Sequence, residues 1–291
     1  NSNKRKNFLI IILVISGVSF LLISTLIFKR FKEKQKVADE LEKKNNAIQS
    51  QKLIIDKAYA ELAEFNKNIT DSIRYAKRIQ EAIFPTDEKM KKNLPQSFVF
   101  FQPKDIVSGD FYWVENIGDT VYFALVDCTG HGVPGAFMSL LGSTYLDQVL
   151  IEMKEPMPKE VLNGLDRKIN QAFKQSNPDH KIGDGMDMCL CRMDKEMTSI
   201  VIVSANRPIY YFTNNELIET KANIYSIGGM FDGIDKNFTE VTYSINKGDR
   251  FYMFSDGYGD QFGGEKNRRF STRKMKTIFT EIQNEHVSKQ N

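Results

Sequence analysis

From Phe8 to Phe28 the chain reads FLIIILVISGVSFLLISTLIF, 21 residues without a charge. A run this apolar has no place on the surface of a water-soluble fold. As a helix rising about 1.5 Å per residue, it matches a hydrocarbon core about 30 Å thick. A signal-peptide core is shorter, about 7–15 residues, and closes on a small-residue cleavage site. Residues 8–28 therefore read as a transmembrane helix, with residues 1–7 as its basic flank. Lys29, Arg30, Lys32, Lys34 and Lys36 follow the span and outnumber Lys4, Arg5 and Lys6 before it. That asymmetry predicts a single-pass protein of the inner (cytoplasmic) membrane, its C-terminal bulk in the cytoplasm. The chain opens at Asn1 and not at Met, so an upstream segment is expected.

Behind the span, 41% hydrophobic and 26% charged residues in a 291-residue chain allow a sizeable core. The net charge of +3 resides largely in the two clusters beside the span. A nucleic-acid partner is excluded on that ground, because its basic footprint would lie on the folded domain. Cys128, Cys189 and Cys191 are odd in number and lack metal-type spacing, which suits free thiols in a reducing compartment. Cys189 and Cys191 would share one face of a strand as packing.

From about residue 31 to 84 neither glycine nor proline occurs. Leu41, Ile48, Ile55, Leu62, Ile69, Ala76 and Ile83 recur every seven residues. The positions four residues earlier (Val37, Lys44, Gln51, Ala58, Phe65, Ser72, Ile79) are mixed. Strong a and weak d positions predict a coiled-coil linker over 29–85, forming a parallel homodimer marginal enough to shift register. Pro85 ends the helix.

Residues 86–291 change pattern. FVFFQP, TVYFALVDC, MCLCRMD, TSIVIVSA, IYYFTNN, EVTYSI and DRFYMFSD read as strands, interrupted by helices over 135–153 and 158–175. This predicts an α+β fold of antiparallel sheets flanked by helices. Three aspartates sit at strand–turn junctions beside glycine: Asp110 in PKDIVSGDFYW, Asp127 in LVDCTGHG and Asp256 in FYMFSDGYGDQFGG. Aspartate in a turn commonly serves only local hydrogen bonds. Three with one grammar suggest an oxygen cage for a hard divalent cation, Mg²⁺ or Mn²⁺ rather than zinc.

Competing motifs fail on the residues. Gly130-x-Gly132-x-x-Gly135 fits a dinucleotide turn locally, with Glu152 or Glu155 suitably downstream, but strands follow where βα alternation is required. A Walker loop needs Lys-Ser/Thr after Gly135 and finds Ala136-Phe137. A calcium loop from Asp256 needs Gly and Glu where Gln261 and Asn267 stand.

PKDIVSGDFYW, DCTGHGVPGAFMS, SANRPIYYF and FSDGYGDQFGG, in this order, resemble the SpoIIE-like (RsbU-like) branch of the metal-dependent 2C-type serine/threonine protein phosphatases, over residues 98–291. NITDSIRYAKRIQEAIFP is similar to the helical linker that precedes this domain in bacterial membrane sensors. The resemblance implies a β-sandwich of two antiparallel sheets flanked by helices, here preceded by a transmembrane and a coiled-coil helix. It implies two Mn²⁺ or Mg²⁺ ions, bridged by Asp127, with the Cys128 backbone carbonyl on one of them. Asp110 and Asp256 would complete the ligand set or hold its waters, and Asp260 would contact an ion's water. An activated water, not the Cys128 thiol, would attack phosphorus; CTGHGV lacks the arginine-bearing loop of a cysteine phosphatase. His131 is a candidate proton donor, with a turn-stabilising role as the plainer alternative. Asp184 and Asp187 could be a turn and an edge residue or neighbours of the metal. Asn206, Arg207 and Pro208 read as a structural turn, and Tyr112 and Trp113 as core.

The implied substrate is a phosphorylated regulatory protein, such as an anti-sigma-factor antagonist. In one respect the chain departs from the family pattern. A further aspartate, usually an Asp-Asp pair entering a final strand, is expected after Asp260, and FSTRKMKTIFTEIQNEHVSKQN supplies none. A C-terminally truncated domain is the expectation, with weak or no activity in this piece and activity in its full-length parent; a degenerate domain is the alternative. A non-catalytic adaptor that dimerises and docks a partner protein is the second reading.

Overall fold

The computed structural model describes residues 2–176, 183–229, 236–285 and 287–290. Two compact units divide at Thr70 and Asp71. The first consists of helix α1 (Ser2–Ile83) up to that point. An 18-residue window of α1 has a mean hydropathy of 2.8; among the described residues it is the one helix long and apolar enough to cross a membrane, by length and composition. Leu41, Ile48, Ile55 and Leu62 are exposed along it.

The second unit starts at Asp71 and so takes in the last turns of α1, where the sequence reading placed the boundary at residue 86. Burial explains the difference. Gln80 Nε2 donates to the Ser108 carbonyl (2.6 Å) and to Ser139 Oγ (2.7 Å), and Gln80 Oε1 accepts from the Ser108 N–H at 3.0 Å. Phe84 lies in the core against Phe111, with ring centroids 6.1 Å apart. Pro85 follows, and Thr86 caps α2 (Asp87–Asn93) by accepting from the Lys89 N–H.

The elements after α2 are β1 (Phe111–Ile117), β2 (Thr120–Cys128), α3 (Gly132–Met153), α4 (Pro158–Ser176), β3 (Gly185–Asp194), β4 (Ser199–Ala205), β5 (Tyr210–Thr213), β6 (Glu216–Glu219), β7 (Ile227–Gly228), β8 (Glu240–Ser244), β9 (Arg250–Tyr252), α5 (Asp256–Gly259), β10 (Phe262–Gly263), β11 (Arg268–Arg269), α6 (Ser271–Ile282) and α7 (Val287–Gln290). One sheet runs β1-β2-β3-β4-β8, with β7 also on β3; a second runs β6-β5-β9, and every named pairing is antiparallel.

Strand alternation sorts the side chains into layers. Tyr122, Ala124 and Val126 of β2 join Leu146, Leu150, Leu162 and Leu165 of α3 and α4. Phe123 and Leu125, one step out of phase, join Ile200, Ile202, Ile209 and Phe251 between the two sheets. Tyr210, Phe212 and Tyr252 face Met275 and Phe279 of α6. The unit is thus helix, sheet, sheet, helix, the sandwich that the family resemblance implied. Cys189 and Cys191 pack together in the inter-sheet layer, as expected. Trp113 is buried and donates to Asp147 at 2.7 Å, while Tyr112 is half-buried.

Two local expectations are corrected. FVFFQP forms no strand: Pro95 lies three residues before it and Pro103 ends it, and neither offers an N–H to a ladder. Its Phe101 instead meets the rings of Phe84 and Tyr112. DRFYMFSD is strand only to Tyr252, so Asp256 opens the short α5 and does not end a strand.

Candidate functional site

On β2, Asp127 continues the Phe123–Leu125 side; on β3, Asp187 continues the Cys189–Cys191 side. The inter-sheet layer therefore ends in carboxylates, and the β2–β3 register sets Asp127 directly opposite Asp187. Like charges facing across a ladder repel. β1 adds a third: Phe111 pairs with Val126, which brings Asp110 alongside Asp127. Asp256 arrives from far along the chain, its N–H donating to Asp127 Oδ2 at 3.3 Å. A Cβ on the next residue, Gly257, would lie 3.8 Å from Asp110 Oδ2.

Arg207 answers this charge. Asn206 leaves β4 with φ 58, its N–H held by the Asn223 carbonyl at 2.7 Å, and Pro208 follows. That turn aims the guanidinium inward, where Nη2 lies 2.5 Å from Asp127, 3.0 Å from Asp256 and 3.7 Å from Asp187. Burial works against the cation, but Asp127, Asp256 and Asp187 outweigh it and push the guanidinium pKa up. Among the described residues, Arg207 Nε is buried without a hydrogen-bond partner. Asp127 moves the other way from an ordinary carboxyl: burial, then the charges of Asp110 and Asp256, push it up to about 7 against the pull of Arg207.

Glycines set the spacing. A Cβ on Gly135 would come 2.6 Å from the Gly130 carbonyl oxygen and 3.0 Å from Gly109 Cα. One on Gly109 would come 2.7 Å from the Gly130 oxygen and 3.3 Å from that of Cys128. The Asp110 loop, the Asp127 turn and the start of α3 interleave backbone to backbone, which no nucleotide is needed to explain. Gly135→Ala is expected to cost about 3 kcal/mol and to lower the melting temperature by roughly 6–12 °C, since backbone atoms cannot yield as a side chain would; a thermal melt checks this.

His131 precedes α3, and its Nδ1 lies 2.8 Å from Asp105 Oδ2, a partner the motif did not reveal. The Asp260 carboxylate pairs with Arg269 of β11. Of the two aspartates around the start of β3, Asp187 joins the cluster; Ser226 Oγ (2.5 Å) and Asn206 Nδ2 (2.9 Å) also donate to it. The Cys128 side chain is buried, and burial together with Asp127 and Asp110 pushes its thiol well above the ordinary range. A thiolate nucleophile is disfavoured there.

Among the described residues no three His, Cys, Asp or Glu side chains stand ready to hold an ion. The donor set nonetheless fits a hard cation. It consists of carboxylate and carbonyl oxygens, and Asp127 gives up its proton reluctantly until more positive charge is supplied. Arg207 is the residue that sequence reasoning misjudged; what reads as a turn in SANRP is a turn that delivers a cation.

Two antiparallel sheets between helical layers, closed at one end by aspartates from separate segments, define the 2C-type phosphatase class. The family described as Stage II sporulation protein E (SpoIIE) matches residues 117–290, and the chain belongs to it. Phosphoserine phosphatase RsbU of Bacillus subtilis (strain 168) is 23% identical over 199 residues, covering 67% of this chain and 56% of the relative. The chain thus spans little more than half the length of that relative. The solved SiaA-PP2C domain of Pseudomonas aeruginosa superimposes with a TM-score of 0.68 at 28% identity, covering 77% of this chain and 87% of that domain.

Proposed function

We propose that this protein is a metal-dependent phosphatase that hydrolyses phosphoserine or phosphothreonine on a regulatory protein. One observation carries the reading: aspartates from β2, β3 and α5 meet around a single guanidinium, and Asp110, in the loop before β1, adds its charge beside Asp127. Asp110, Asp127, Asp256 and the Cys128 carbonyl would hold Mn²⁺ or Mg²⁺, in the two-ion set that the family resemblance implies, with Asp260 as an outer contact. Such ions acidify bound water and neutralise phosphate charge. Arg207 offers planar donors suited to phosphate oxygens. His131, its Nδ1 tied to Asp105, is the candidate donor of a proton to the leaving serine oxygen.

The test is hydrolysis of a phosphoserine peptide by the full chain, with Mn²⁺ and after chelation. Metal-dependent release of phosphate is expected; equal, negligible rates in both would favour a non-catalytic adaptor. His131→Gln is expected to slow the peptide reaction about 10²-fold and p-nitrophenyl phosphate far less, because nitrophenolate leaves without a proton. Equal losses on both substrates would remove His131 from that role.

The span over residues 8–28, the cytoplasmic placement and the parallel dimer through the heptad residues are proposed on the sequence pattern, supported by the length of α1 and the exposure of Leu41, Ile48, Ile55 and Leu62.

A further inference from the structure

Lys236 is a buried cation with no part in the chemistry above; its side chain is 2% exposed. Its Nζ donates to Asp166 Oδ1 at 2.6 Å, to the Ser226 carbonyl at 2.8 Å and to the Gly228 carbonyl at 3.0 Å, using all three N–H groups. Asp166, on α4, also accepts from the Gly228 N–H (2.7 Å) and Asn170 Nδ2 (3.1 Å). A buried ion pair rarely stabilises a fold more than apolar packing would. This one grips a particular segment, Ser226–Gly228, from both its carbonyl and its N–H side.

The gripped segment reaches the acidic corner by two routes. Ser226 Oγ donates to Asp187 Oδ1 at 2.5 Å, leaving Oδ2 to face Arg207. Gly228 pairs with Gly185, which accepts from the Thr129 N–H at 2.9 Å and donates to Thr129 Oγ1 at 3.2 Å, two residues beyond Asp127. The fit is close, for a Cβ on Gly185 would lie 2.6 Å from the Ile227 carbonyl oxygen.

We propose that the Asp166–Lys236 pair is a positioning device for the phosphatase site, holding Ser226 so that its hydroxyl fixes the Asp187 carboxylate opposite Asp127. Neither residue touches substrate. The proposal rests on the phosphatase reading, and the experiment separates the two. Full-length protein in detergent is titrated with Mn²⁺, following the rise in melting temperature, and p-nitrophenyl phosphate hydrolysis is measured in parallel.

Ser226→Ala is expected to melt near the wild type under chelation yet to need about tenfold more Mn²⁺ for half of the stabilisation. Ser226→Thr, which keeps the hydroxyl, should return to within about twofold, a rescue that a purely structural role for this residue would not produce. Lys236→Met should share the loss, and a folded Lys236→Met that binds Mn²⁺ as the wild type does overturns the proposal; if it does not fold, Asp166→Asn, which keeps an oxygen for the Gly228 N–H but removes the charge facing Lys236, takes its place under the same criterion. A wild type that responds to Mn²⁺ while Ser226→Ala responds identically overturns the proposal alone. A wild type indifferent to Mn²⁺ overturns the phosphatase reading and the proposal with it.

Discussion

Asp127→Asn is expected to reduce Mn²⁺-dependent phosphatase activity by at least about 10³-fold while making the chelated protein more stable at pH 8. The first effect follows from removing the charge on which the proposed ion site is centred, several kcal/mol of charge stabilisation in such centres. The second follows from the carboxyl being pushed up to about 7, by burial first and then by Asp110 and Asp256. A carboxyl whose pKa is higher folded than unfolded holds its proton more tightly in the fold. Ionising it therefore costs stability, beginning near pH 4 and complete above about pH 7. At about 1.4 kcal/mol per tenfold change in proton affinity, a rise from 3.8 to about 7 costs about 4 kcal/mol. The asparagine variant escapes it, so its advantage should be present at pH 8 and vanish near pH 4. Melts of chelated protein across that range read the difference; a variant with no advantage at pH 8 would contradict the charge assignment.

Arg207→Leu should do the reverse. Without the guanidinium, Asp127, Asp187 and Asp256 are left facing one another, and chelated protein at pH 8 should lose about 3 kcal/mol, in the range for breaking a buried ion pair. Arg207 is one of the groups holding Asp127 down, so its removal lets that carboxyl take up a proton more readily. Lowering the pH to about 5 should then recover much of the loss, and Mn²⁺ at pH 8 should do the same by supplying positive charge. A loss independent of both pH and Mn²⁺ would mean that Arg207 serves only as packing.

Most of the architecture was readable because it rests on local rules. TVYFALVDC is a short apolar run between turn signals, so it announces a strand covered on both faces. Pro85 stops the rod, and the turn after Asp127 starts a helix. What escaped depended on register and on distance along the chain. Nothing near GDGMDM says that Asp187 will stand across from Asp127; that follows from how β2 and β3 align. SANRP looks like any turn until β4 and the second sheet decide where its arginine points. FVFFQP misled for the opposite reason, having strand-like composition but a proline shortly before it and another as its last residue. The compact unit takes in Gln80 because an amide on an otherwise exposed helix finds buried partners in Ser108 and Ser139.

The interleaved glycines have a consequence for inheritance. Gly109 and Gly135 press on the same carbonyl oxygen, so the segment bearing Asp110 and the segment bearing Asp127 shift together or not at all. Neither position has a mild allele within reach, because the smallest available replacement already collides with main chain. A population of variants selected merely for being soluble would leave both codons untouched, and tolerance would mark them as firmly as selection for turnover.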